Sequence, residues 1–131
     1  MSKPNLEADR LIHEIGAAIV QSPRIAALDW QHLVFVANVE RGHSTISGFA
    51  YDQSGKSRPT SPGSTEALNK IAALREATRT DGREPWTACL IRIERDTGKV
   101  AMDFEYDNPS RWAITPANVR QMALALRPPR I

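Results

Sequence analysis

The chain has 131 residues, a net charge of +2, and 41% hydrophobic and 24% charged residues. These values are ordinary for one globular domain, and they argue against general disorder and against a strongly basic nucleic-acid-binding protein. We therefore expect a single domain over residues 1–131. The sequence opens without the uncharged apolar block of a secretory signal, and no stretch approaches the ~20 apolar residues of a membrane span. The expectation is a cytoplasmic protein without a membrane partner.

The N-terminal half combines one helical pattern with two strand patterns. Residues 6–22 place apolar side chains at helical spacing, and the Ser22-Pro23 step ends that helix. Residues 30–39 are rich in β-branched and aromatic side chains, which indicates a strand covered on most of both faces. A turn over Glu40-Arg41-Gly42-His43 leads to a strand over residues 44–51, so the two strands are predicted to form a hairpin.

The C-terminal half repeats the helix and strand patterns after a loop. Residues 52–63 consist of turn and loop residues, and Ser64 is placed to cap a helix over about residues 64–80. Residues 86–94 form the next strand pattern, and a tight glycine-containing turn leads into a strand over residues 99–107. These two strands are predicted to form a second hairpin.

The strand over residues 99–107 alternates almost without fault, which is the strongest β signal in the chain. One side carries Val100, Met102, Phe104 and Tyr106, and the other carries Lys99, Ala101, Asp103, Glu105 and Asp107. This pattern predicts one face against the core and one face in water. The three carboxylates would then point off the solvated face at alternate positions.

A final helix is expected to begin at Thr115-Pro116, with a capping hydroxyl before proline, and to end at Pro128-Pro129. The predicted order is therefore α-β-β-α-β-β-α. We predict an α+β fold in which two hairpins form one four-stranded antiparallel sheet, with the helices packed on its one apolar face.

The sequence offers no complete catalytic or metal-binding motif. His13-Glu14 begins like the zinc motif His-Glu-x-x-His, but Ala17 stands where the second histidine belongs. His32 and His43 have no neighbours at metal-ligand spacing, and the single Cys89 lies in an apolar run typical of a buried structural thiol. We therefore predict no catalytic residue, no metal site, no cofactor and no small-molecule ligand.

Charged and aromatic residues are distributed unevenly towards the C-terminus. Residues 94–107 carry five acidic and two basic residues, whereas residues 108–131 carry four arginines and no acidic residue. Trp30 and Trp86 each begin a strand pattern, which favours packing in the core or at its rim. Trp112 follows a basic residue in an irregular segment, and this position suits an interface anchor.

Several of these segments together resemble a known family. They are Trp30 at the start of a hairpin, Leu74-Arg75 in a helix, Gly82-Arg83-Glu84-Pro85-Trp86, Leu90-Ile91-Arg92-Ile93, Thr97-Gly98-Lys99, Asp103-Phe104-Glu105-Tyr106-Asp107 and Trp112. In these features the chain resembles the YezG-like immunity (antitoxin) proteins of bacterial polymorphic toxin and contact-dependent inhibition systems. The resemblance covers roughly residues 6–112. The chain departs from the pattern after Trp112, where it adds a helix and the sequence Arg-Pro-Pro-Arg-Ile.

The resemblance implies inhibition by binding rather than catalysis. Its expected partner is a cognate toxin domain whose active site the chain would occlude, and a nuclease is the favoured toxin activity. No direct contact with nucleic acid is expected. Because nuclease sites are lined with Lys and Arg, the acidic strand is the expected contact surface, formed by Asp103, Glu105 and Asp107 with Trp112 at its edge. The alternative is a small nucleic-acid-binding module that uses the basic C-terminal segment. A small enzyme or ligand-binding domain is a third, less favoured class.

Overall fold

The structure is a computed structural model that describes residues 6–40 and 43–128, and it has one antiparallel sheet with helices on both faces. The helices are α1 (Leu6–Gln21), α2 (Pro23–Ala26), α3 (Thr65–Ala77) and α4 (Val119–Ala125). The strands are β1 (His32–Glu40), β2 (His43–Tyr51), β3 (Ser57–Thr60), β4 (Ala88–Glu94) and β5 (Val100–Glu105). The α+β class and both predicted hairpin pairings are confirmed.

The sheet has five strands in the order β3-β2-β1-β4-β5, and all neighbours are antiparallel. The predicted four-stranded sheet is wrong because β3 lies inside the segment expected to be a loop. Its residues pair with the second half of β2, from Gly48 opposite Thr60 to Tyr51 opposite Ser57. Proline is tolerated there because β3 is an edge strand. The predicted turn at Arg41-Gly42 lies outside the described residues.

The larger part of the core lies between the sheet and the layer formed by α1, α2 and α3. The side chains that fill it from the sheet include Leu33, Phe35, Ala37, Cys89, Ile91 and Ile93, and those from the helices include Leu11, Ile15, Ile19, Ile71 and Leu74. The predicted cap of α3 is confirmed, because the Ser64 hydroxyl oxygen accepts a hydrogen bond from the Ala67 N–H at 3.1 Å.

The opposite face of the sheet is also apolar, and the C-terminal segment covers it. Val34, Val36, Phe49, Tyr51, Ala88 and Leu90 form a second buried cluster with Trp112 and Ala123. The prediction that all helices pack on one face is therefore wrong. The Tyr51 hydroxyl donates to the Ala123 carbonyl oxygen at 2.7 Å, and this bond ties α4 to the sheet.

The last helix begins later than predicted, at Val119 rather than at Thr115. Asn118 and Thr115 form reciprocal bonds: the Thr115 N–H donates to Asn118 Oδ1 at 2.7 Å, and the Asn118 N–H donates to Thr115 Oγ1 at 3.2 Å. These side-chain bonds close a turn, and such local bonding competes with helix formation by Ser, Thr, Asn and Asp.

The core between the sheet and α1, α2 and α3 is called the helix-side core below. The predicted direction of the β5 side chains is confirmed, since Val100, Met102, Phe104 and Tyr106 all pack against this core. Their burial is partial, however, because β5 is an edge strand with no strand on its outer side within the described chain. The four side chains therefore face the core as expected but are only partly buried.

Candidate functional site

The predicted acidic surface begins at Glu105, which ends β5 and organises the turn that follows. Its Oε2 accepts hydrogen bonds from the backbone N–H groups of Asp107 and Asn108 at 3.0 and 3.1 Å. Its Oε1 accepts from Arg111 Nη1 at 3.1 Å. These donors favour the ionised carboxylate, and the pKa of Glu105 is lowered chiefly by the two backbone bonds and then by Arg111.

Glu105 is consequently a poor candidate for direct contact with a partner. Its side chain is only 13% exposed, whereas its ion-pair partner Arg111 is 56% exposed. The arrangement fixes the chain as it leaves β5, which is a structural role. Glu105 therefore positions the neighbouring acidic residue Asp107 rather than presenting its own charge.

Asp103 and Asp107 are the exposed members of the predicted set. Asp103 points to the α4 side of the sheet, and its Oδ2 accepts from Arg92 Nη1 at 2.6 Å across the β4–β5 pair. Both side chains of this pair are about half exposed. Such exposed pairs contribute little net free energy, so a partner cation can compete for Asp103. Asp107 forms no ion pair within the part of the chain that the structure describes.

Trp112, which was predicted to lie at the edge of the contact surface, is a buried residue in the structure. It is buried, 7% exposed, in the second apolar cluster, and the Arg111 guanidinium lies 4.8 Å from the centre of its ring. The reason is the fold-back of residues 108–126 onto the sheet, which the local sequence does not reveal. Trp30 and Trp86 are buried in the helix-side core, as predicted.

Two further exposed carboxylates lie in the loop that contacts Tyr106, the residue before Asp107, and were missed by the sequence analysis. The loop between α3 and β4 carries Asp81 and Glu84, both exposed and without an ion pair in the described ranges. This loop is held against the end of β5, because the Arg83 guanidinium lies 3.8 Å from the ring centre of Tyr106. We call Asp81, Glu84, Asp103 and Asp107 the acidic end.

A second charged region lies between the sheet and the C-terminal segment. A cavity of about 650 Å³ is lined by Arg92, Arg111 and Arg127 together with apolar side chains that include Leu90, Trp112, Met122 and Leu126. Arg127 is exposed and forms no ion pair within the described residues. The cavity lining thus combines apolar side chains with three guanidinium groups, of which those of Arg92 and Arg111 already form ion pairs with Asp103 and Glu105.

The remaining titratable side chains form no group that could hold a metal ion, among the residues that the structure describes. His13 and His43 are exposed, and His32 Nε2 lies 3.7 Å from Glu94 Oε2. Cys89 is buried in the core, and its burial raises the pKa of the thiol to about 12. A thiol held protonated in this way is not a nucleophile at neutral pH.

No known family model matches this sequence, and a comparison with curated proteins finds no match either. Within the described ranges, no helix combines the length and the apolar character needed to cross a membrane.

Proposed function

We propose that this protein is an immunity protein of the YezG-like type, which binds a toxin domain in the cytoplasm and blocks its active site. The partner is a basic domain, preferably a nuclease, and the protein acts without catalysis, cofactor or metal. The observation that carries the proposal is the acidic end: exposed Asp103 lies on β5, exposed Asp107 follows β5, and exposed Asp81 and Glu84 lie in the loop that contacts Tyr106.

The charges at the acidic end suit a basic partner. Asp81, Glu84 and Asp107 are exposed and lack ion pairs within the described residues, so their charge is available to an approaching surface. Exposed charges of this kind mainly increase the rate of association and select against acidic partners. The bonds that Glu105 accepts hold Asp107 in place before the partner arrives, which reduces the entropy lost on binding.

The test uses a candidate toxin domain encoded beside this gene and compares two double variants. Asp103→Lys with Asp107→Lys changes the acidic end. Asp9→Lys with Asp29→Lys makes the same change in net charge at exposed positions on the N-terminal segment. We expect the first variant to bind at least about tenfold more weakly, mainly through slower association, and the second to bind like the parent.

The comparison separates a local contact from the general field of the protein. If both variants bound the toxin domain equally weakly, net charge alone would account for the effect. The acidic end would then not be the contact surface. Protection of cells by the first variant at parental level, with normal folding, would contradict the proposed surface. Failure of the parent to bind any adjacent toxin domain would contradict the function itself.

A second candidate function is nucleic-acid binding at the arginine-lined cavity. The specific observation is that three guanidinium groups border one cavity on the α4 side of the sheet. Trp112 cannot act as an open stacking platform, because it is buried, so binding would rest on phosphate contacts and depend strongly on salt.

A labelled single-stranded oligonucleotide tests this alternative by fluorescence anisotropy over a salt series. Arg127→Ala should weaken binding, whereas Arg120→Ala removes the same charge from an exposed position outside the cavity and should weaken it less. No binding by the parent at low salt would eliminate this alternative.

A further inference from the structure

We propose that a second copy of this chain pairs with the free edge of β5, joining the two five-stranded sheets into one continuous antiparallel sheet. The inference goes beyond the proposed function and does not depend on it, because it concerns the isolated protein. It is carried by the phase of the backbone hydrogen bonds along β5 and by the sequence of that strand.

The two edges of the sheet are not equivalent. The β3 edge has only four residues and contains Pro59, and both features are ways in which natural sheets prevent edge pairing. The β5 edge has six residues, Val-Ala-Met-Asp-Phe-Glu, with no proline or glycine. Within the described chain β5 pairs with β4 alone, so its outer side is open.

The outward-facing backbone groups belong to Val100, Met102 and Phe104. The Glu94 N–H donates to the Lys99 carbonyl oxygen at 3.0 Å, which makes these two residues a hydrogen-bonded pair of the β4–β5 ladder. In an antiparallel ladder, successive residues turn their N–H and C=O groups alternately towards and away from the neighbouring strand. Lys99, Ala101 and Asp103 therefore bond towards β4, and the residues between them present a donor and an acceptor to the free edge.

These outward groups are self-complementary about Met102. When a second β5 runs antiparallel with Met102 opposite Met102, each Val100 lies opposite a Phe104. All outward residues of one strand then meet outward residues of the other, which allows about six N–H···O bonds. A shift of one residue sets outward groups against inward ones, and a shift of two places Val100 or Phe104 opposite a residue outside β5.

The side chains favour the same register. On the helix side, Val100 meets Phe104 and Met102 meets Met102, so partly buried apolar groups of each copy cover one another. On the α4 side, Lys99 lies opposite Glu105 and Ala101 lies opposite Asp103, so no two like charges stand directly opposite each other.

The register predicts one specific cross-link. Cα atoms of a hydrogen-bonded antiparallel pair are about 5.5 Å apart, which lies within the range that a disulfide spans. Met102→Cys, in a Cys89→Ala background, should therefore form a covalent dimer under mild oxidation. Asp103→Cys is the control. Its side chain is more exposed, but in this register position 103 lies opposite Ala101, so the two introduced thiols are two residues apart along the paired strands. It should cross-link much less.

A second pair of variants tests the backbone bonds directly. Met102→Pro removes the outward N–H at the centre of the edge, whereas Met102→Ala removes the same side chain and keeps that N–H. By sedimentation equilibrium the parent should show a concentration-dependent mass between one and two chains. We expect the proline variant to dimerise about tenfold or more weakly than the alanine variant.

Three results would overturn the proposal. One is a parent mass of a single chain at the highest soluble concentration. The others are cross-linking at position 103 equal to that at position 102, and equal dimerisation of the proline and alanine variants. Because the cross-linking comparison does not use the proline variant, it remains decisive if that variant fails to fold.

Discussion

Glu105 joins the end of β5, the following turn and Arg111 through one carboxylate. Its acceptors are used by two backbone N–H groups and one guanidinium. The sequence predicted its direction correctly, because alternation fixes which face a strand residue occupies. It could not predict the bonds, because they depend on how residues 106–111 turn back over the sheet.

The lowered pKa of Glu105 predicts a dependence of stability on pH. A carboxyl group whose pKa is lower in the folded state stabilises the fold above its ordinary pKa, and this contribution is lost as pH falls through the lower folded value. We expect Glu105→Gln to be less stable than the parent at neutral pH and to lose less stability on acidification. Urea unfolding over a pH series measures both, with Asp103→Asn as the exposed control. Parallel pH profiles for parent and Glu105→Gln would contradict this.

Tyr51 provides a second test at the level of one atom. Its side chain is fully buried, its hydroxyl donates to the Ala123 carbonyl at 2.7 Å, and burial raises its pKa to about 12. Tyr51→Phe leaves that carbonyl without its donor, so we expect a loss of about 1–3 kcal/mol in unfolding free energy. Relative to the parent, this variant should also show a larger increase in the rate of amide hydrogen exchange in α4 than in α3. An unchanged stability would mean that water replaces the hydroxyl.

At the scale of elements, strands were easier to predict than their packing. The β4–β5 hairpin follows from strict alternation, and α3 follows from its Ser64 cap. The segment with β3 contains Pro59 and resembles a loop locally, so only pairing with β2 makes it a strand. An amphipathic stripe shows that α4 must cover something, but not which face of the sheet. The apolar residues on both sides of β1, such as Val34 and Phe35, were the available clue.

Gly48 shows how closely β1 and β2 approach each other. A Cβ atom at this position would lie 2.0 Å from the backbone oxygen of Val34, so one of the two strands must move. We expect Gly48→Ala to cost at least about 2 kcal/mol of unfolding free energy.

Gly98→Ala is the matched control for Gly48→Ala. It has nothing within 4 Å of the added atom, and its φ of +69° is the source of strain. We expect it to cost about 1 kcal/mol. Chemical unfolding of both variants measures the difference, and a larger loss in Gly98→Ala would contradict the close approach at Gly48.

At the scale of the whole molecule, the sheet is covered on both faces, and this decides which predicted site residues are accessible. Trp112 became part of the second core because residues 108–126 return to the sheet. Asp103 forms an ion pair with Arg92 because the pairing of β4 with β5 brings these two side chains together. Asp81 and Glu84 carried no local signal, since exposed loop carboxylates are common. Long-range contacts, which one sequence does not display, account for each difference.

Cys89 reports on the opening of the whole fold. It lies in the helix-side core with 0% exposure, and burial keeps its thiol protonated, with a pKa of about 12. We expect the native protein to react with a thiol reagent only through unfolding, so that the rate rises with denaturant as the unfolded fraction does. The reagent concentration series supplies the control. Rapid labelling of the native protein, without denaturant, would contradict this burial.

The central position of β1 also affects the chain during synthesis. β1 pairs on one side with β2, which follows it directly in the sequence. On the other side it pairs with β4, which begins at Ala88, 48 residues after β1 ends at Glu40. At translation rates of about 5–20 residues per second, the second side of β1 waits roughly 2–10 s for its partner. During this time the nascent chain exposes an apolar strand that is paired on one edge only. A ribosome-associated chaperone would shield this exposed edge from aggregation.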